Sequence, residues 1–120
     1  MYSMHDIFTR ETCPDWETFW YVLCNFLDDF KRNPQYERLA KQPEFIEEKT
    51  NAFLAAAAEQ LAINNALDIP QWTYNKKYRL KEPFFPSGLK GEYMIFALRE
   101  SPLAFKAKNI FVSANILDRC

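Results

Sequence analysis

Few side chains in this chain have the type and spacing that catalysis requires. The only histidine is His5, within residues 1–13, a stretch that reads as frayed, so a Ser-His-Asp or Cys-His device would rest on a group with nothing to hold it. Cys13, Cys24 and Cys120 form no CxxC pair and are odd in number, which favours reduced thiols over a disulfide framework. Cys24, between apolar neighbours, reads as a small buried hydrophobe, and none of the three sits among groups that would activate a thiolate.

Carboxylates cluster twice. Glu44, Glu47 and Glu48 could offer oxygens to a divalent cation, but three acidic groups at a helix start are accounted for by the positive end of the helix dipole. Asp28 and Asp29 adjoin Lys31 and Arg32 and read as a solvated helix face, with no pair set apart for acid–base work. With 2 glycines in 120 residues, neither the GxGxxG nor the GxxxxGKS phosphate cradle can form. The expectation is a protein that is not an enzyme, with no catalytic, metal-binding or cofactor-binding residues.

The clearest binding chemistry lies in QWTYNKKYRLKEPFF. There Trp72, Tyr74, Lys76, Lys77, Tyr78 and Arg79 mix rings with cations, and Lys81, Phe84 and Phe85 extend the pattern. Such mixtures bind single-stranded nucleic acid, because bases stack on rings while cations follow phosphate. They also serve as plugs, in which rings fill the core beneath a long loop and lysines keep its outer side wet. The plug is the favoured reading, and the six residues from Trp72 to Arg79 stand as the candidate partner or nucleic-acid surface.

The elements that must carry these groups follow from periodicity. Over 14–33, Trp16, Phe19, Trp20, Leu23, Phe26, Leu27 and Phe30 recur at the spacing of one helical face. Pro14 and Asp15 suit the helix start, and Asn33-Pro34 ends it. Tyr21 and Val22 widen the apolar arc enough for a partner-binding edge or for self-association. A short helical piece is expected over 35–41. A second helix is predicted from Pro43 to about Leu67, with alanines at 55–58 that let another helix approach and an apolar stripe of Ile46, Phe53, Ala57 and Leu61.

Beyond it, 71–91 lacks helical periodicity and predicts an ordered, irregular strap. Helical character returns over 92–99. Pro102 to Lys108 predicts a turn or short helix, Asn109 to Val112 a short extended stretch, and Ser113 can cap a last turn over 114–119. The fold class expected is mainly α: a single compact domain over 1–120 with four to five helices, a long ordered aromatic strap and at most a very short extended segment near the carboxy terminus.

Composition agrees. At 48% hydrophobic and 17% aromatic the chain is too apolar for disorder, and its length suffices for a core without disulfides or a structural metal. The longest apolar runs, Phe19 to Cys24 and Phe53 to Ala58, fall far short of the ~20 residues that span a bilayer. Nor does the amino terminus have the basic start and apolar stretch of a secretory signal. A cytoplasmic protein without membrane contact is expected. The 15 basic and 16 acidic residues hide a division: residues 1–75 hold 6 and 12, a net of −6, and residues 76–120 hold 9 and 4, a net of +5. The favoured use is internal attraction between basic strap and acidic helices, and the other is steering of an anionic partner.

The carboxy-terminal stretches KEPFFPS and LRESPLAFKAKNIFVSANILDR resemble the end of a loose group of small bacterial proteins of unassigned function. The elements that match are Pro83-Phe84-Phe85, Glu100-Ser101-Pro102, Phe105 and Asn109 to Val112. Some of that group are similar to the carboxy-terminal part of antitoxin-type helix-turn-helix regulators. The chain has no helix-turn-helix unit ahead of the matching segment, so operator binding does not carry over. The resemblance implies a protein-binding or toxin-neutralising module.

Physically, Phe85, Glu100, Pro102, Phe105, Asn109 and Phe111 read as a structural lock. Glu100 would bond backbone or a cation such as Arg99 or Lys108, Pro102 would set the turn, the two later rings would anchor it, and Asn109 would satisfy turn amides. Loss of ~3 kcal/mol or more is expected for Phe105→Ala or Phe111→Ala. The function expected is a non-enzymatic protein-binding module, an antitoxin-like or accessory component; the alternative is a small nucleic-acid-associated protein that uses residues 72–85.

Overall fold

The aromatic periodicity of 14–33 produces the helix it predicts. In the computed structural model, which describes residues 3–84, 101–112 and 117, the described helices are α1 (Met4–Ile7), α2 (Trp16–Arg32), α3 (Glu48–Asn64) and α4 (Leu103–Ala107). Short 3₁₀ turns stand at Tyr36–Arg38, Gln71–Tyr74 and Lys76–Tyr78. The architecture is mainly helical and compact, with almost no strand among the described residues. Phe84 and Ile110 form an isolated parallel bridge, within the stretch of 109–112 expected to be extended.

α2 starts where a carboxylate can cap it: Asp15 Oδ1 accepts the Thr18 amide at 2.8 Å, which holds the Asp15 carboxyl below its usual range. Phe19, Leu23, Phe26, Leu27 and Phe30 are buried along its inner face. Three rings at the start of α2 meet α3 at Phe53, whose ring lies 5.6 Å from Trp16, 5.9 Å from Phe19 and 6.0 Å from Trp20. Phe105 of α4 closes the same cluster at 5.1 Å.

α3 is shorter than the periodicity suggests. Residues 43–47 stay outside it because the buried Asn51 side chain accepts the Ile46 and Glu47 amides at 2.7 and 3.0 Å and donates to the Glu44 carbonyl at 3.0 Å. That network fixes a non-helical approach and leaves Ile46 off the helical stripe. Glu47 then caps the helix by accepting from Thr50. At the other end Ala66 turns left-handed, φ 54°, while Leu67 N bonds the Ala62 carbonyl at 2.8 Å and Ala66 N the Ile63 carbonyl at 3.3 Å. This is the paired closure that glycine normally serves. The alanines at 55–58 are buried, and α3 packs against α4 and the 3₁₀ turns of the strap.

Residues 3–13 are packed, which corrects their reading as frayed. Met4 and Phe8 are fully buried and Cys13 nearly so, because Phe8 inserts its ring between α2 residues, 5.8 Å from Phe19 and 5.9 Å from Phe26. The backbone is tied down as well: Arg10 N donates to Glu44 Oε2 at 2.7 Å and Arg10 Nε to the Phe45 carbonyl at 2.8 Å. The helical character read over 92–99 and the last turn over 114–119 lie outside the described residues, apart from Leu117, which is buried.

Candidate functional site

The strap divides its own side chains between core and solvent. Trp72 is half-buried and its Nε1 donates to the Leu39 carbonyl at 2.8 Å. Tyr78 is buried edge-on to Trp72 at 5.8 Å, with its hydroxyl accepting from Gln42 Nε2 at 2.6 Å. Burial pushes the Tyr78 phenol above its ordinary pKa, and the Gln42 bond opposes that shift. Thr73, also buried, donates its hydroxyl proton to the Pro70 carbonyl at 2.7 Å. Between these anchors, Asn75 caps the second turn by accepting from Lys77 N at 3.1 Å.

What remains outside is mostly cationic. Lys76, Lys77, Arg79 and Lys81 are exposed, as is Tyr74 at 56%. None of the four cations forms an ion pair with a described residue; Lys77 rests its ammonium 5.2 Å from the Tyr78 ring centre. Among the described residues, the close ion pairs that an internal attraction of strap to acidic helices would favour do not involve these four groups. A pair that crosses the charge division among the described residues is Lys108 with Glu59, at 2.5 Å, with side chains only 4% and 12% exposed. Of the six candidate surface residues, Tyr74, Lys76, Lys77 and Arg79 share the outer side, whereas Trp72 and Tyr78 are plugs.

The far end of the strap is held by the segment read as a lock. Leu80 N donates to the Lys108 carbonyl at 3.2 Å, Phe84 N to the Asn109 carbonyl at 3.0 Å, and Phe111 N to the Phe84 carbonyl at 2.9 Å. Asn109 adopts the left-handed region at φ 65°, and its Nδ2 donates to the Leu80 carbonyl at 3.2 Å, so the side chain serves a carbonyl where turn amides were expected. Pro102 accepts the Phe105 and Lys106 amides at 3.0 and 3.1 Å. Phe105 is fully buried and Phe111 half-buried. Phe85 and Glu100 lie outside the described residues. Lys108, offered as a partner for Glu100, engages Glu59.

Sequence reasoning missed three groups here. Ser101 is buried and exchanges hydrogen bonds with Val112, donating to its carbonyl at 2.9 Å and accepting its amide at 2.8 Å. Lys108 and Arg38 are buried cations. Arg38 pairs with Asp29, donates to the Asp29 and Asn33 carbonyls at 3.2 Å, and lies over the Phe26 and Phe30 rings at 5.4 and 5.8 Å. Arginine and lysine are almost never fully buried without partners; Glu59 lies far from Lys108 in sequence, and Asp29 and Asn33 meet Arg38 only because the chain folds back after α2.

The other candidates stay apart. Glu44, Glu47 and Glu48 are exposed, with Glu44 serving Arg10 and Glu47 serving Thr50, and no group of three metal-ligating side chains forms among the described residues. His5 is held rather than loose: Nδ1 donates to the Gln42 carbonyl at 2.9 Å. Cys13 is a free, buried thiol whose pKa is raised by desolvation, and a raised pKa disfavours the reactive thiolate. Cys24 is half-buried, less enclosed than its reading as a buried hydrophobe expects. A shallow depression lined by Ile7, Val22, Asn25, Phe26 and Asp29 lies between α1 and α2, away from the strap. On α2, Tyr21 is 69% exposed, while Trp16, Phe19, Trp20, Phe26 and Phe30 pack against other rings.

Among the described residues no helix is long and apolar enough to cross a membrane. No known protein family, curated protein or solved structure matches this chain.

Proposed function

We propose that this chain is a non-catalytic binding module that takes an anionic partner on the outer side of the strap. One observation carries the reading: Lys76, Lys77, Arg79 and Lys81 are exposed without a carboxylate partner among the described residues, on a stretch anchored at Trp72, Tyr78 and Leu80 by partly buried hydrogen bonds. An anchored backbone presents charge without the ordering cost that a mobile loop would incur on binding. The protein partner expected from the sequence, including one neutralised in an antitoxin-like manner, would meet this surface with an acidic face.

The test is retention on immobilised heparin at pH 7.5 and low salt. The whole protein carries a formal charge of −1, so retention requires a local cationic patch. The parent protein is expected to be retained and to elute with salt, and the triple variant Lys76→Glu, Lys77→Glu, Arg79→Glu to flow through with an unchanged unfolding midpoint. Flow-through of the parent, or equal retention of the variant, rejects the proposal.

A further inference from the structure

The geometry points to single-stranded nucleic acid as the anionic partner, bound as a sequence-independent backbone track with one stacked base. This rests on the reading of the strap as a binding surface and gives the partner's chemical class.

The cations follow one another along the strap, set apart by side chains that enter the core. Tyr78 and Leu80 are buried, at 1% and 8% exposure, while Lys77, Arg79 and Lys81 between and beside them are exposed. Arg79 is extended, φ −92° and ψ 116°, and Leu80 is bonded on both its amide and its carbonyl to Lys108 and Asn109. Lys76 and Lys77 lie in a 3₁₀ turn, and Arg79 and Lys81 follow it on either side of the buried Leu80. Four single positive charges within residues 76–81 suit a polymer with one negative charge per nucleotide along a single strand. Glu82, the one acidic residue of 71–84, closes the run, whereas a duplex presents the phosphates of two strands.

The second component is the ring at the head of the run. Tyr74 ends the first 3₁₀ turn, 56% exposed, and is the one ring of Trp72, Tyr74 and Tyr78 not committed to the core. A base can stack on it while the following phosphates meet the cations, and stacking of that kind is indifferent to base identity. An acidic protein surface would use the charges but gain nothing comparable from the isolated ring.

Fluorescence anisotropy of a labelled 20-nucleotide oligothymidylate tests this, with a duplex of the same length and polyglutamate as competitors. For four cations on a single strand, the slope of log K against log salt is expected near about −2.8. Replacing Lys77, Arg79 and Lys81 by Gln should bring it to about −0.7. Tyr74→Ala should weaken binding about tenfold or more without changing the slope, and Tyr74→Phe should restore it. Equal competition by duplex or polyglutamate, or full affinity in Tyr74→Ala, overturns the inference while leaving an anion-binding strap. Absence of binding to every polyanion overturns both.

Discussion

α2 and the strap are the two aromatic regions of the molecule, and they sort their rings by different means. In α2 the helix itself does the sorting: residues three and four apart share a face, so one apolar stripe enters the core and Tyr21 is left outside. The strap has no such period. Its rings are sorted by contacts with Leu39 and Gln42, more than thirty positions earlier, and with Lys108 and Asn109. The regions meet where Trp16 of α2 packs edge-on against Phe84 at 5.8 Å. Aromatic content alone therefore says little about recognition; what matters is which groups the inward rings leave facing water.

The helical side of this comparison breaks most severely at Phe53, fully buried and shared by Trp16, Phe19, Trp20 and Phe105. Phe53→Ala should lose about 4 kcal/mol in urea unfolding, and a loss under 1 kcal/mol would show that the two long helices do not pack through this ring. On the strap side, Lys108→Met strands the largely buried Glu59 carboxylate and should lose about 3 kcal/mol. Adding Glu59→Leu should recover most of it; failure to do so would place the loss in backbone disruption instead of the ion pair.

Tyr78→Phe removes a hydrogen bond and should lose about 1 kcal/mol near neutral pH. It also has a pH signature. The folded state holds Tyr78 neutral with a raised pKa, so this contribution is full below the unfolded value of about 10 and is lost as pH rises through the folded value. Stability of the parent should fall more steeply above that pH than stability of Tyr78→Phe, and parallel curves would mean that the phenol is not buried. The smallest effect is expected where α3 hands over to the strap: Ala66 is left-handed, and Ala66→Gly should raise stability by about 1 kcal/mol. Destabilisation there would refute the closure described for α3.

Much of the fold was legible. The α2 stripe, the alanine-rich α3, the aperiodic strap and the turn at Pro102 follow from local patterns. The amino-terminal packing was not, because Met4, Ile7 and Phe8 span little more than one helical turn, too short for periodicity to stand out; the ring partners of Phe8, Phe19 and Phe26, lie on another element. The start of α3 was misread for a related reason. Pro43 and three glutamates suit a helix start, but Asn51 claims the backbone of 44–47, and side-chain competition of that sort overrides propensity.

For the candidate site, sequence determined the ingredients: rings and cations interleaved over 72–81, and a charge division near residue 75. Tertiary structure decided the assignment. It turned Trp72 and Tyr78 inward, left Tyr74 and four cations outside, and gave a buried cross-division ion pair to Lys108, which lies outside the strap. The physical reason is reach. Helical periodicity is a property of neighbouring residues, whereas the direction of a ring in an aperiodic segment depends on which distant carbonyl or amide can satisfy it, and that partner exists only once the chain has folded.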